Sequence, residues 1–186
     1  MAAVSSPRRR AEFFVDPQRD RTYSGPATGD ERTLLLDFLA AGRATVALKC
    51  RGLEDELTRR SVPPSTLSLL GLIRHLAEVE RRWFRRVLAG QDAPPLFVSP
   101  AHPDRDFDGA LPDPAVIAEA WRVWAVEQEF AAAFIAAAPD LDVVGQDEWR
   151  GTVSLRWVLL HLIREYARHS GHADLLRERI DGAVGL

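Results

Sequence analysis

Residues 154–180 read Ser154-Leu-Arg-Trp-Val-Leu-Leu-His161-Leu-Ile-Arg-Glu165-Tyr-Ala-Arg168-His169-Ser-Gly-His172-Ala-Asp-Leu-Leu-Arg-Glu-Arg-Ile180. Leu155, Val158, Leu159, Leu162, Tyr166, Ala173 and Leu176 recur at three- and four-residue steps, which is the spacing of one apolar stripe on an α-helix. Three of the chain's five histidines lie in the same stretch. At about 100° per residue, Glu165 and His169 are about 40° apart, and His169 and His172 about 60° apart. His169 falls inside the stripe, close to Leu162. Glu165 falls at its edge, and His172 lies further out on the same flank. Asp181-Gly182 closes the helix.

Three further helices are expected upstream. The first runs from about Asp30 to Thr58, with Asp30 and Glu31 suited to a helix start. Leu35, Phe38, Leu39, Val46 and Leu53 form its apolar face, and Gly42 and Gly52 weaken it locally. Pro63-Pro64 stops the chain, and Ser65 is a natural N-cap for the second helix, Thr66 to Ala89. There Leu69, Leu72, Leu76, Val79, Trp83 and Val87 keep the helical spacing, and Gly90 ends it. The third helix begins at Asp113-Pro114, with proline in the first turn, and carries Ile117, Trp121, Trp124, Phe130 and Phe134 to about Ala138. No segment shows strand alternation with hairpin turns. The expected fold is therefore all-α, a four-helix bundle over residues 30–186, preceded by an irregular N-terminal arm, residues 1–29, that Phe13, Phe14 and Tyr23 pin to the body. The first connection is short and favours an antiparallel pair. The second, 91–112, is long enough to cross the bundle, so simple up-down-up-down order is not forced.

Composition narrows the function. The chain has 186 residues, 46% of them hydrophobic and 27% charged, as in a soluble globular domain. No apolar run approaches the roughly 20 residues of a membrane-spanning helix, and the basic N-terminus has no apolar stretch behind it, so no secretory signal is read. The single cysteine, Cys50, excludes an internal disulfide and any multi-cysteine metal site. The expected compartment is the cytoplasm. With a net charge of −3, general nucleic-acid binding has no electrostatic support.

The histidines point to a metal. Residues at i, i+3 and i, i+4 share a helix face and can grip one ion, and a further ligand must come from a facing helix. His75 is the only histidine on the second helix, at the edge of its stripe. The set His75, His169 and His172, with Glu165 as a fourth ligand or supporting partner, suits zinc, nickel, iron or a similar divalent ion. A single histidine on an amphipathic helix is more often packed or solvated. The cluster of two histidines and a glutamate, one aimed at the core, is what favours the metal. His102, in the proline-rich loop, reads as solvated, and His161 as a hydrogen-bond partner of Glu165.

The segment Pro63-Pro-Ser-Thr-Leu-Ser-Leu-Leu-Gly-Leu-Ile-Arg-His75-Leu-Ala-Glu-Val-Glu80-Arg-Arg-Trp83-Phe resembles the first signature of the DinB-like superfamily, in its mini-circle protein branch, a domain of unknown function. The stretch from Leu155 to Gly182 resembles the second. The resemblance implies a four-helix bundle with a divalent metal near one end, one ligand from the second helix and two from the fourth. Carried over, His75 is the second-helix ligand. The superfamily's frequent His-x3-His is absent, since position 168 is Arg. The Glu-x3-His of the mycothiol-dependent maleylpyruvate isomerases is matched by Glu165 and His169. His169 with His172 is the first choice and Glu165 the reserve, and the two pairs stay open. The resemblance further implies a transferase or isomerase using a low-molecular-weight thiol such as mycothiol or bacillithiol, with the metal holding the thiol as thiolate. That agrees with a chain offering no convincing nucleophile of its own, Cys50 reading as a packed residue.

Arg81-Arg82 and Arg85-Arg86 read first as a solvated face paired with Glu78 and Glu80. In the functional reading Arg82 and Arg86, on one face, clamp the carboxylate of a thiol cofactor or an acidic substrate. Trp83 and Phe84 beside them read as core anchors. Glu165 serves as ligand, orienting group or general base. The expected partners are a small-molecule substrate and a second copy of the chain in a homodimer, with no nucleic acid and no membrane. Two other functions stay in view: a metal-dependent hydrolase needing no thiol, and a non-catalytic metal-binding stress-response protein.

Overall fold

The computed structural model describes residues 25–183. Most of the expected arm, including Phe13, Phe14 and Tyr23, lies outside the described residues. The elements in order are α1 (Glu31–Cys50), α2 (Asp55–Arg59), α3 (Leu69–Glu80), which continues as a π-helical segment (Arg81–Leu88), α4 (Arg105–Asp108), α5 (Pro114–Ala137), β1 (Val144–Asp147), β2 (Gly151–Ser154) and α6 (Leu155–Ile180). The protein is all-α apart from that two-stranded hairpin. Among the described residues no helix is long and apolar enough to cross a membrane.

The helix starts follow capping chemistry. Asp30 accepts from Thr33 N, Asp113 from Ala115 N ahead of Pro114, and Ser154 from Trp157 N. The second helix starts later than its sequence suggests. Ser68, not Ser65, is its cap, accepting from Gly71 N, while Ser65 Oγ accepts from Leu67 N in the preceding turn. The first helix ends at Cys50 rather than Thr58, because Gly52 takes φ +73° and turns the chain into the separate short α2. Phe38 does not join the core. It projects about 100° from its neighbour Leu39 and is 62% exposed.

Cross-helix contacts fix the order. Arg156 at the start of α6 meets Glu31 at the start of α1, and Arg177 near the end of α6 donates to the carbonyls of Lys49 and Arg51. So α1 and α6 are parallel. Cys50 Sγ reaches Leu69 O, and Arg43 reaches Glu80, so α3 runs against α1. Arg32 donates to Ile135 O and Ala138 O at the end of α5, so α5 also runs against α1. The bundle is up, down, down, up.

Two parallel helices in succession need a connection that returns along the bundle, and residues 89–113 do this against α3. Pro94 O accepts from Arg81 Nε, the amides of Phe97 and Val98 donate to Glu78, and Asp106 O accepts from Arg74 Nε.

The middle of the bundle holds a buried polar chain with one member from each long helix. Trp124 Nε1 donates to Tyr166 Oη (2.9 Å), and Tyr166 Oη donates to Glu80 Oε1 (2.8 Å). Arg43 grips both Glu80 oxygens at 2.8 Å. Glu80 and Tyr166 are fully buried, and burial raises the tyrosine's pKa well above its ordinary value. Replacing Tyr166 by Phe removes the hydroxyl and strands both neighbours. The expected cost is about 1–3 kcal/mol, read from the urea midpoint. A loss within experimental error would mean the chain does not form.

Candidate metal centre

His75 sits on α3 one turn above Glu80, and Glu165 and His169 sit one turn apart on the antiparallel α6. Because the helices face each other here, His75, Glu165 and His169 each offer a ligand atom, and the three atoms lie within 4.8 Å of one another. The rings of His75 and His169 meet edge to face at 4.8 Å. Glu165 Oε2 is 3.6 Å from His169 Nε2. His75 and Glu165 line a cleft of about 420 Å³ whose other walls include Arg82, Arg86 and Trp149.

His75 is oriented from behind. Asp106 Oδ2 lies 2.8 Å from His75 Nδ1. A carboxylate oxygen accepts, so Nδ1 is the donor of this bond, and Nε2 is the ring nitrogen left for other partners. Phe107 stacks on the other side of the ring at 4.6 Å. Asp106 is itself buried, carried there on α4 by the returning connection, whose backbone Arg74 holds at Asp106 O and Arg105 O. His169 is buried, and its pKa is pushed down to about 3, by burial first and then by the positive charge His75, His172 and Arg168 would add. It is therefore a neutral imidazole at physiological pH, the form that binds metals. Two nitrogens and a carboxylate, neutral or anionic and convergent, are a donor set that fits a divalent ion of the zinc, nickel or iron kind.

His172 stands elsewhere in the arrangement. Its Nδ1 is 3.3 Å from His169 Nδ1, on the ring edge opposite the one facing Glu165. It also lines a separate apolar groove with Val62, Leu67 and Leu175. Of the two pairs left open by the sequence, the structure brings Glu165 and His169 together with His75, and sets His172 behind His169.

His161 lies flat on Trp157 (5.0 Å, 8°), with its edge toward Trp83 at 4.8 Å. Its Nε2 is 3.9 Å from Glu165 Oε1, and burial lowers its pKa. His102 is exposed in the loop.

The arginines do not pair as expected. Glu80 is taken by Arg43 and Tyr166, and Glu78 by backbone amides. Arg81 and Arg85 instead hold Glu127 on α5, the former at 2.8 Å. Arg82 pairs with Asp147 of β1 at 2.8 Å. Arg86 is exposed at the cleft, with no ion-pair partner among the described residues. Trp83 and Phe84 are buried, as anchors should be.

Sequence reasoning missed the hairpin. Strands of four residues are too short to show alternation, and the available signals were Gly145 and Gly151. A Cβ on Gly145 would sit 2.1 Å from Val87 O, so only glycine lets β1 lie on the π-helical segment. Gly151 takes φ +73° where the turn ends. It also missed Asp106. Asp104, Asp106 and Asp108 alternate in that loop, and nothing in the sequence separates the one that meets His75 from its neighbours.

A family model described as mycothiol-S-transferase matches residues 34–182. No curated protein matches the chain.

Two expectations follow from the site. Asp106→Ala frees the His75 ring, so affinity for a divalent ion should fall about 10- to 100-fold, measured by competition with a chromogenic chelator. An unchanged affinity would remove Asp106 from the centre. The pH dependence has a definite sign. An unfolded histidine takes its proton near 6.5, whereas folded His169 waits until about 3. Between those values the unfolded chain binds more protons, so metal-free protein should lose stability as pH falls from 6.5 towards 3. Urea midpoints at about pH 7 and about pH 5 should differ less in His169→Gln than in wild type, and equal differences would contradict a buried neutral imidazole.

Proposed function

The chain belongs to the mycothiol-S-transferase family, and from that premise we propose that it is a divalent-metal-dependent enzyme that transfers the sulfur of mycothiol to a small electrophilic substrate. The observation that carries the reading is the convergence of His75, Glu165 and His169, two of which, His75 and Glu165, line a cleft. These three residues would hold the ion. When bound, such an ion supplies the positive charge that keeps a neighbouring thiol deprotonated at neutral pH.

The chain's own residues do the rest. Asp106 fixes the His75 tautomer, so the nitrogen lone pair faces the other donors. His172 Nδ1 orients His169 from behind. Glu165 supplies the anionic ligand, and its Oε1, on the His161 side, accepts the thiol proton. The sulfur's electron pair then forms a bond to the electrophilic carbon, and the leaving group departs with the bonding pair. His161, packed flat on Trp157, limits water at Glu165. Arg82 and Arg86 contact the thiol cofactor beyond its sulfur.

An external nucleophile is supported by the fate of the internal one. Cys50 is buried, and burial pushes its thiol up to about 12. It is therefore inert at neutral pH.

The test is metal content together with thiol consumption, in wild type and four variants, using mycothiol and a bimane halide as acceptor. About one divalent ion per chain is expected at this site. Ion and transfer should both vanish in His75→Ala, His169→Ala and Glu165→Ala, and the ion should survive in His172→Ala. Loss of metal in His172→Ala with retention in Glu165→Ala would make His172 the third ligand. Turnover of the acceptor without thiol would make the protein a hydrolase. A metal-free wild type after reconstitution would end the metal-dependent reading.

A further inference from the structure

Among the described residues the most exposed large apolar side chain is Trp149, at 90%. It serves no packing role, yet its backbone is held firmly. Asp147 Oδ1 accepts from the amides of Trp149 (3.2 Å) and Arg150 (3.0 Å), and Asp147 Oδ2 pairs with Arg82. Gln146 Nε2 donates to Thr152 Oγ1 across the hairpin. Beneath it, Gly145 rests on the backbone of Val87. The backbone that carries this indole is therefore fixed at the lip of a cleft, so a ligand that meets the ring has only the side-chain torsions left to order.

The cleft that contains His75 and Glu165 continues into a second of about 420 Å³, and the two share Arg82, Arg86, Asp147 and Trp149. The outer cleft adds Gln91, Asp92, Gln146 and Glu148. Its charges are two arginines against three carboxylates, and Arg82 is already paired. It is therefore no trap for an anion. Amides and carboxylates around an indole are the groups that recognise a neutral polyol: the ring's C–H face stacks on the indole, and the hydroxyls find acceptors and donors around it.

We propose that the hairpin turn Asp147–Arg150 is the sugar-recognition element of the thiol site. The indole of Trp149 stacks against a sugar ring, while Arg86, Gln91, Asp92 and Glu148 bind its hydroxyls. The inference rests on the thiol-transferase reading and deepens it. Mycothiol is an N-acetylcysteine amide of an aminosugar joined to inositol, with no charged group besides its thiol. With the sulfur beside Glu165, its sugars extend along the shared wall to Trp149. Asp147 is a positioning residue, since it acts on the ligand through the turn and through Arg82.

Trp149→Ala and Trp149→Phe test this on the metal-loaded full chain. Both sit on an exposed turn, so folding and metal content serve as controls rather than as readouts. Trp149→Ala should raise the KM for mycothiol about tenfold, the loss expected for an anchoring aromatic, and Trp149→Phe should recover most of it. The cysteine-free N-acetylglucosaminyl-inositol, uncharged like the sugars of mycothiol, should inhibit wild type competitively with mycothiol and shift its tryptophan emission, and the Ala variant should show neither effect. If mycothiol is turned over but KM stays within about twofold in Trp149→Ala, the hairpin is not the sugar site and the transferase reading stands. If wild type neither binds nor uses mycothiol, the transferase reading fails and this inference falls with it.

Discussion

A carboxylate without solvent holds this bundle together. Glu80 is fully buried at the end of α3, and an unpaired charge there would cost several kcal/mol. Its partners are therefore obligatory: Arg43 from α1 and Tyr166 from α6, with Trp124 from α5 bonded to the tyrosine. Each of the four long helices gives one residue. An apolar core alone tolerates small slides between helices, whereas a bidentate pair and two directed hydrogen bonds do not. Removing any one partner leaves another unsatisfied, so the chain specifies register as well as proximity.

That register is what brings His75, Glu165 and His169 together. His75 is five residues before Glu80 on α3, and His169 is three after Tyr166 on the antiparallel α6. Fixing Glu80 against Tyr166 brings His75 level with His169, and the ring contact at 4.8 Å is the consequence. The parallel arrangement of α3 and α5 adds the other half. It forces residues 89–113 to travel back along α3, and on that return Asp106 meets His75. The topology thus supplies the group that sets the histidine tautomer. On the far side of α3, Arg81 and Arg85 tie α5 in place through Glu127. The next positions, Arg82 and Arg86, are left to face the cleft.

The four long helices were legible because each carries an apolar stripe long enough to establish its period and most begin at a clear cap. The burial of His169 was legible from the same wheel, since it shares a direction with Leu162. What stayed hidden has physical causes. Gly52 lay in a pattern that continued to Leu53, so the break into α2 was masked by apolar spacing that both sides satisfy. The π-helical segment contains neither Gly nor Pro, and its apolar pairs Trp83-Phe84 and Val87-Leu88 suit an α-helix equally well. The partners of the arginines are not legible in the sequence, because proximity along the chain does not decide pairing. Glu78 and Glu80 are near in sequence but committed to backbone amides and to Arg43, while Glu127 and Asp147 arrive from other elements.

The choice between Glu165 and His172 shows what a helical wheel leaves undetermined. Both lie within one turn of His169 and both are compatible with a chelating pair. The wheel gives directions for side chains but not for the two nitrogens of an imidazole, which look opposite ways. In the folded chain His169 turns Nε2 toward Glu165 and Nδ1 toward His172. An imidazole so placed has one edge for the convergent donors and the other for a hydrogen bond that holds the ring. His172 meets only the second edge, and it also lines the groove formed with Val62, Leu67 and Leu175. Three residues on one face of α6 therefore need not play the same part, because the orientation of a single ring, packed edge-on against His75 of α3 and bonded to His172, divides them.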